Sequence, residues 1–212
     1  MLNALMVVLA GISVEESLCA NGDGAACFSA GRQYVDQQPS KALELFERGC
    51  RQKSAAACGR AGFMVSRGIG TKADVKRGRG LLEKACEAKD GASCNNLGTD
   101  ASEGKNGAKK DFAAALALYE KGCSYGNGLG CFNLGNVYRI GEGVPVDLSK
   151  ALAQFDRACT MGTASGCTEA AIIHYEGSVG SKDGAKALEL FHKACTLGSS
   201  VACKNLQLLE KK

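Results

Sequence analysis

The residues in this chain whose types and spacing suit chemistry are its cysteines, one Ser-x-x-Lys and two histidines. Twelve cysteines fall into six pairs at one spacing, Cys-x7-Cys: Cys19/Cys27, Cys50/Cys58, Cys86/Cys94, Cys123/Cys131, Cys159/Cys167 and Cys195/Cys203. Paired thiols can close disulfides, bind zinc or sit reduced in a core. Zinc sites favour Cys-x2–4-Cys and often recruit histidine. No Cys-x-x-Cys occurs here, and His174 and His192 are the only histidines. Nine residues of continuous helix would hold the two Cα atoms about 12 Å apart, beyond the roughly 7 Å that a disulfide tolerates. Gly22, Gly126, Gly162 and Gly198 lie between the cysteines of their pairs. A chain that folds back there sets the two thiols face to face. Six nearest-neighbour disulfides are therefore expected, with zinc and reduced thiols left as the alternatives. Disulfides place the protein in an oxidising compartment, the periplasm or outside the cell.

The other motifs carry less. Ser102-Glu103-Gly104-Lys105 has the Ser-x-x-Lys form of serine β-lactamases and penicillin-binding proteins, but Lys-Thr-Gly and Ser-Asp-Asn, the partners that chemistry needs, are absent. His174 occupies the slot of Tyr34 and Tyr138 and is expected to pack within its helix. His192 follows Phe191 and is expected at the surface. There is no Walker loop or dinucleotide fingerprint. No catalytic residue, cofactor or metal ligand is assigned.

What positions the cysteines is a repeat. The first cysteines of successive pairs lie 31, 36, 37, 36 and 36 residues apart, a period that marks a stacked array. Ahead of each first cysteine runs an apolar stripe of helical period, here called helix B. It reads Ala42-Leu43, Phe46, Cys50, then Ala151-Leu152, Phe155, Cys159, then Ala187-Leu188, Phe191, Cys195. Ala115-Leu116 and Tyr119 keep the pattern, while the unit ahead of Cys86 has Gly78 and Gly80 inside the helix and Leu82 in the aromatic slot. Each second cysteine opens helix A, with Gly or Ala four residues on: Gly31, Gly62, Gly98, Gly135 and Ala171. Glycine inside a helix costs about 1 kcal/mol against alanine. A cost repeated in register implies close approach of a neighbouring helix. The later glycines, such as Gly141 and Gly143, are expected to end helix A.

The period sets the organisation. Residues 20–199 hold five helical hairpins, with A helices near 25–36, 55–67, 91–103, 128–140 and 164–176. Residues 200–212 form a capping helix that departs from the pattern at Gln207 and ends Glu210-Lys211-Lys212. Residues 1–19 are an apolar N-terminal helix. Its Leu5–Ala10 run reads as the remnant of a secretion signal, as part of a half-repeat over 3–19 or as an anchor, and is short for a bilayer span.

Composition excludes other classes. The 26 basic and 22 acidic residues give a net charge of +4 without long runs, which argues against nucleic acid, where a basic stripe is expected. With 28 Gly, no Trp and only two Pro, the chain suits closely packed short helices and has no evident flexible linker.

Lys121-Gly122-Cys123-Ser124-Tyr125-Gly126 through Cys131-Phe132-Asn133-Leu134-Gly135-Asn136-Val137-Tyr138-Arg139-Ile140-Gly141 resembles the Sel1-like repeat. The cysteine pair in every unit resembles, more narrowly, the cysteine-rich secreted proteins first known from Helicobacter. Together, period, stripe and resemblance imply an all-α fold: a right-handed α/α solenoid of tetratricopeptide-related hairpins, one disulfide per unit. The resemblance also implies a choice of roles. The leading one is a secreted or periplasmic scaffold, monomeric and without a membrane span, that holds a protein or peptide on its concave side. A second is penicillin binding or weak β-lactamase activity, and a third is haem- or metal-handling assembly. A helices line the concave side of such arrays. The polar helix A residues that the repeat does not fix, Asn95, Asn96, Asn133, Asn136 and Arg139, are the expected partner contacts, because asparagine both donates and accepts toward a peptide backbone.

Overall fold

The structure, a computed structural model, describes residues 13–209. Its helices run in order as α1 Val14–Ala20, α2 Gly24–Tyr34, α3 Pro39–Arg51, α4 Ala55–Arg67, α5 Val75–Glu87 and α6 Gly91–Glu103. They continue as α7 Phe112–Ser124, α8 Gly128–Ile140, α9 Leu148–Thr160, α10 Ala164–Glu176, α11 Gly184–Thr196 and α12 Ser200–Leu209. Even numbers are A helices and odd numbers B helices. The A helices lie where the sequence puts them, the first ending at Tyr34 rather than residue 36. The Leu5–Ala10 run and Glu210-Lys211-Lys212 lie outside the described residues, as does all but Val14–Ala20 of the helix expected over 3–19.

The helix ends follow local chemistry that repeats with the unit. Asp74, Asp111, Asp147 and Asp183 cap α5, α7, α9 and α11, each carboxylate accepting the backbone N–H three residues on. Pro39 opens α3 instead. Helices α4, α6, α8 and α10 each stop on a left-handed glycine, Gly68, Gly104, Gly141 and Gly177. The turn from each B helix to the next A helix also contains one residue of positive φ. It is Gly22, Gly126, Gly162 or Gly198 in four turns, as expected, but Lys53 and Lys89 in the other two, both at φ 65°. A lysine there bears a steric cost of roughly 1–2 kcal/mol, so the turn is imposed by the helices it joins.

Within each hairpin the repeated glycine receives the aromatic ring of helix B. A Cβ built on Gly31 would lie 2.6 Å from the Phe46 ring, on Gly98 2.8 Å from Tyr119, and on Gly135 2.6 Å from Phe155. Ala171 fills the same slot in the last hairpin, in one core cluster with Phe191. In the second hairpin, where Leu82 replaces the ring, the backbones themselves approach: a Cβ on Gly62 would be 2.8 Å from the Gly78 carbonyl oxygen. Gly78 is thus a contact of the unit and not a defect in it. Gly80 faces open space, with nothing within 4 Å of its would-be Cβ.

Between hairpins the cysteines close. All six expected disulfides are present, with Cα–Cα distances of 4.4–4.8 Å, the short end of the range the bond accepts. Each joins the end of a B helix to the start of the following A helix. Small residues beside the bonds permit this: a Cβ on Gly49 would be 2.8 Å from Ala57 Cβ and 2.9 Å from Cys27 Cβ. Helix α1 ends one residue past Cys19, as every other B helix ends one residue past its cysteine. It is also held by Glu16, whose carboxylate pairs with Lys41 of α3 at 2.6 Å while the Lys41 ammonium lies 3.7 Å from the Tyr34 ring centroid.

Two substitutions separate packing from propensity. Gly135→Ala is expected to lower stability by about 1–3 kcal/mol in urea unfolding, because Phe155 is fully buried and cannot withdraw. Gly80→Ala is expected to gain up to about 1 kcal/mol. A neutral Gly135→Ala would contradict the close-approach argument. A third concerns pH. Burial raises the carboxyl of Asp156 in α9 above its ordinary value of 3.8, with His174 and Lys186 partly opposing it. A raised folded-state value means a contribution present at acid pH and lost as pH rises through that value. Asp156→Asn should therefore gain stability relative to the parent between pH 3.8 and neutrality; parallel curves would contradict this.

Candidate functional site

Three pairs of successive A helices touch directly, α2 with α4, α6 with α8 and α8 with α10, whereas among the described B helices only α1 and α3 do so to a comparable degree. This lateral contact makes the A helices the inner layer of the stack. The repeat fixes its small and apolar positions for packing and leaves two slots per A helix turned to the inner surface, two and five residues after the cysteine. The second of these reads, from one end to the other, Arg32, Phe63, Thr99, Asn136, Ile172 and Leu208. That slot therefore runs from cationic and aromatic, through polar, to aliphatic, while the first slot, Ser29, Arg60, Asn96, Asn133, Glu169 and Asn205, stays polar along the stack.

The cationic end forms a groove of about 450 Å³ across α2, α4 and α6. Phe28 and Arg32 line it from α2, Arg60 and Phe63 from α4, and Ser93 and Asn96 from α6. Gly59 leaves its floor open in the slot that Phe28 fills one unit earlier, and a Cβ there would meet Ser93 and Asp90. The guanidinium of Arg32 lies 5.9 Å from the Phe28 ring centroid, that of Arg60 5.7 Å from Phe63, and that of Arg67 4.6 Å from Phe63. Each cation lies within the distance at which the negative face of a ring attracts it.

Next to the groove, sharing Phe63 and Asn96 with it, is a cavity of about 70 Å³. Its wall includes the buried Ser66, whose hydroxyl makes no hydrogen bond among the described residues. Asp100 lies there too, accepting a 2.7 Å hydrogen bond from Asn106. Burial pushes the Asp100 carboxyl above the ordinary aspartate value, against the pull of Asn106, Arg79 and Arg67. At the other end of the stack Ile172, Tyr175, Leu208 and Leu209 line an apolar pocket of about 360 Å³ between α10 and α12.

The five expected partner contacts divide. Asn96 lies on the groove. Asn95 is buried, and its carbonyl oxygen accepts a 2.8 Å hydrogen bond from Asn133 of the next A helix. These two join α6 to α8. Arg139 donates to the side-chain oxygen of Asn136 at 3.0 Å, so that pair is engaged along α8. Sequence reasoning missed Phe28, Arg32, Arg60 and Phe63. The signal for them was present: Arg60 occupies the slot of Asn96 and Asn133, and Arg32 and Phe63 the slot of Asn136.

The Ser-x-x-Lys residues are occupied elsewhere. The Ser102 hydroxyl donates to the Thr99 carbonyl oxygen at 3.0 Å and meets the Tyr119 hydroxyl at 3.2 Å. Lys105 pairs with Glu103 at 2.7 Å. His174 is half-buried in α10, and His192 is at the surface of α11. Among the described residues no helix is long and apolar enough to cross a membrane. Six disulfides are the mark of an oxidising compartment.

Known proteins share this arrangement. A Sel1 repeat protein of Oxalobacter formigenes is similar over 91% of this chain and 80% of its own, at 23% identity and a TM-score of 0.83. A protective antigen of uropathogenic Escherichia coli with an SLR fold is similar over 93% of this chain and 43% of its own, at 25% identity and a TM-score of 0.74. The cysteine-rich protein B of Helicobacter pylori matches 63% of this chain and 95% of its own, at 31% identity and a TM-score of 0.52. No curated protein sequence matches the chain. The Sel1 repeat matches five consecutive segments, residues 18–54, 55–90, 91–127, 128–163 and 164–199. In that phase five of the six disulfides cross the C-terminal boundary of a segment, and Cys19–Cys27 lies inside the first. The chain belongs to the Sel1 repeat family and is itself a disulfide-rich helical repeat scaffold.

Proposed function

We propose that the protein is a secreted or periplasmic scaffold that holds an extended segment of a partner protein along the inner face of its A helices. The observation that carries this reading is the groove across α2, α4 and α6. Four of its side chains, Arg32, Arg60, Phe63 and Asn96, come from the slots the repeat leaves unspecified, and with Phe28 they join ring faces, guanidinium groups and an amide on one surface. The B helices contrast with it. Their apolar stripe is used in packing, and they present scattered exposed charges such as Glu44, Glu83 and Lys84 to solvent. Binding energy concentrates in aromatic and arginine anchors seated in concave sites, and isolated rim charges contribute little. Disulfides between neighbouring units keep the inner face in one shape before a partner arrives, which lowers the entropic cost of binding.

The test starts from a partner cross-linked in the native compartment and identified by mass spectrometry. Phe63→Ala with Asn136→Ala on the A helices should weaken its binding by about tenfold or more, the effect of losing an anchor of roughly 2 kcal/mol. Glu44→Ala with Glu120→Ala on the B helices should change it less than twofold, on the order of a few tenths of a kcal/mol. A larger loss from the B-helix pair would place the binding surface elsewhere.

A further inference from the structure

We infer that the groove across α2, α4 and α6 takes an acidic peptide segment, with carboxylates held by Arg32 and Arg60 and the intervening chain lying over Phe28 and Phe63. The inference rests on the inner-face reading above and specifies the chemistry of its occupant.

At this end of the inner face positive charge is left over. Five charged side chains meet there: Arg32, Arg60, Arg67, Asp90 and Asp100. Both acids are hydrogen-bonded. The Asp90 carboxylate caps α6, accepting the Ser93 backbone N–H at 3.0 Å and the Ser93 hydroxyl at 2.5 Å. Ser93 supplies no counter-cation to Asp90, so the groove lining sets one carboxylate, Asp90, against two guanidiniums, Arg32 and Arg60, and leaves one positive charge in excess. Asp100 accepts from Asn106 and is under the positive charges of Arg79 and Arg67. Arg32 and Arg60 are different. Both are exposed, and among the described residues neither has a carboxylate within 4.0 Å. What each has is a phenyl ring beneath it. The ring draws the guanidinium toward the groove, and no hydrogen bond among the described residues takes up its N–H donors. A guanidinium with its N–H fork open is the arrangement that receives a carboxylate through two parallel hydrogen bonds.

The spacing suits a chain more than a small ion. Arg32 and Arg60 stand on neighbouring A helices, and Asn96 on the next offers an amide that can both donate to and accept from a peptide backbone. The two rings supply apolar surface between these polar points. A groove of about 450 Å³ accommodates several residues' side chains but does not enclose them, which fits a segment passing along the inner face. Farther along the stack the same slot becomes Ile172 and Leu208, so the preference for negative charge belongs to the first three A helices only.

The experiment uses the disulfide-intact full chain and a fluorescein-labelled peptide of alternating Glu and Ala, with Lys-Ala and Gln-Ala peptides of equal length. Binding is read by anisotropy at low and at physiological salt. The Glu-Ala peptide should bind, weaken as salt rises, and outcompete the other two. Arg32→Ala/Arg60→Ala should reduce its affinity by about tenfold or more, as expected for lost charge-assisted hydrogen bonds. Arg157→Ala/Lys193→Ala removes the same charge from exposed positions on B helices and should change it less than twofold. Arg32→Lys/Arg60→Lys keeps the charge without the fork and should fall between, a result that a folding defect would not produce. Equal losses in the two alanine pairs would overturn the proposal in favour of general attraction to a basic protein. Failure of the Glu-Ala peptide to bind would also overturn it. Equal binding of the Gln-Ala peptide, with hydrogen-exchange protection on the A helices, would overturn the acidic preference and leave the inner-face reading standing. Protection confined to the B helices would remove both.

Discussion

The turn from each B helix to the next A helix is the constraint on which the rest of the structure depends. Two helix ends are held there with Cα atoms 4.4–4.8 Å apart by a bond between cysteines eight positions apart. Closing so short a loop contributes roughly 2.5 kcal/mol in the chain-entropy account. The surrounding sequence answers to that approach. Small residues such as Gly49, Gly122 and Ala158 stand beside the cysteines because larger ones would collide with the opposite helix. A left-handed residue sits in every one of these turns, even where it must be Lys53 or Lys89. A single hairpin has one aromatic ring or a leucine at its centre and little core of its own, so it depends on its neighbours. The disulfides supply that dependence in covalent form, joining consecutive units in addition to the apolar contacts between them.

This division of labour frees the inner face. With the hairpin closed by a ring on a glycine and the units joined by sulfur, the inward slots of the A helices carry a smaller share of the packing, although Phe63 and Ile172 still rest against the core and Asn133 binds Asn95. Their side chains can differ from unit to unit without disturbing the stack, and they do. The run from Arg32 and Phe63 through Asn136 to Ile172 and Leu208 is a chemical gradient laid on a uniform frame. Repeat scaffolds present extended surfaces for partner chains in this way. The frame identifies the family, and the slots carry whatever specificity this member has.

Much of the frame is legible in the sequence because it repeats in register. Six cysteine pairs, five small residues at one position and aromatic residues at another mark the helices, their phase and the partner of each glycine. Legibility fails where a contact depends on a particular neighbour. Gly78 reads as a lapse in the pattern, yet it is the place where two backbones approach because Leu82 has replaced a ring. Asn95 reads as a polar residue open to a partner, but it stands in the slot of the half-buried Phe28 and Phe132 and hydrogen-bonds to Asn133. The groove arginines were overlooked for the opposite reason: what sets them apart is that they break the repeat, and they stand out only when one slot is followed along the stack.

Disulfides between consecutive helices hold the stack in register, and peptide mapping tests that most directly. Protein isolated from its native compartment is alkylated without reduction, digested and analysed by mass spectrometry. The result expected is six bonds, Cys19–Cys27, Cys50–Cys58, Cys86–Cys94, Cys123–Cys131, Cys159–Cys167 and Cys195–Cys203, with no alkylated thiol. Thiols that alkylate in the native protein, or bonds linking cysteines of different pairs, would contradict it.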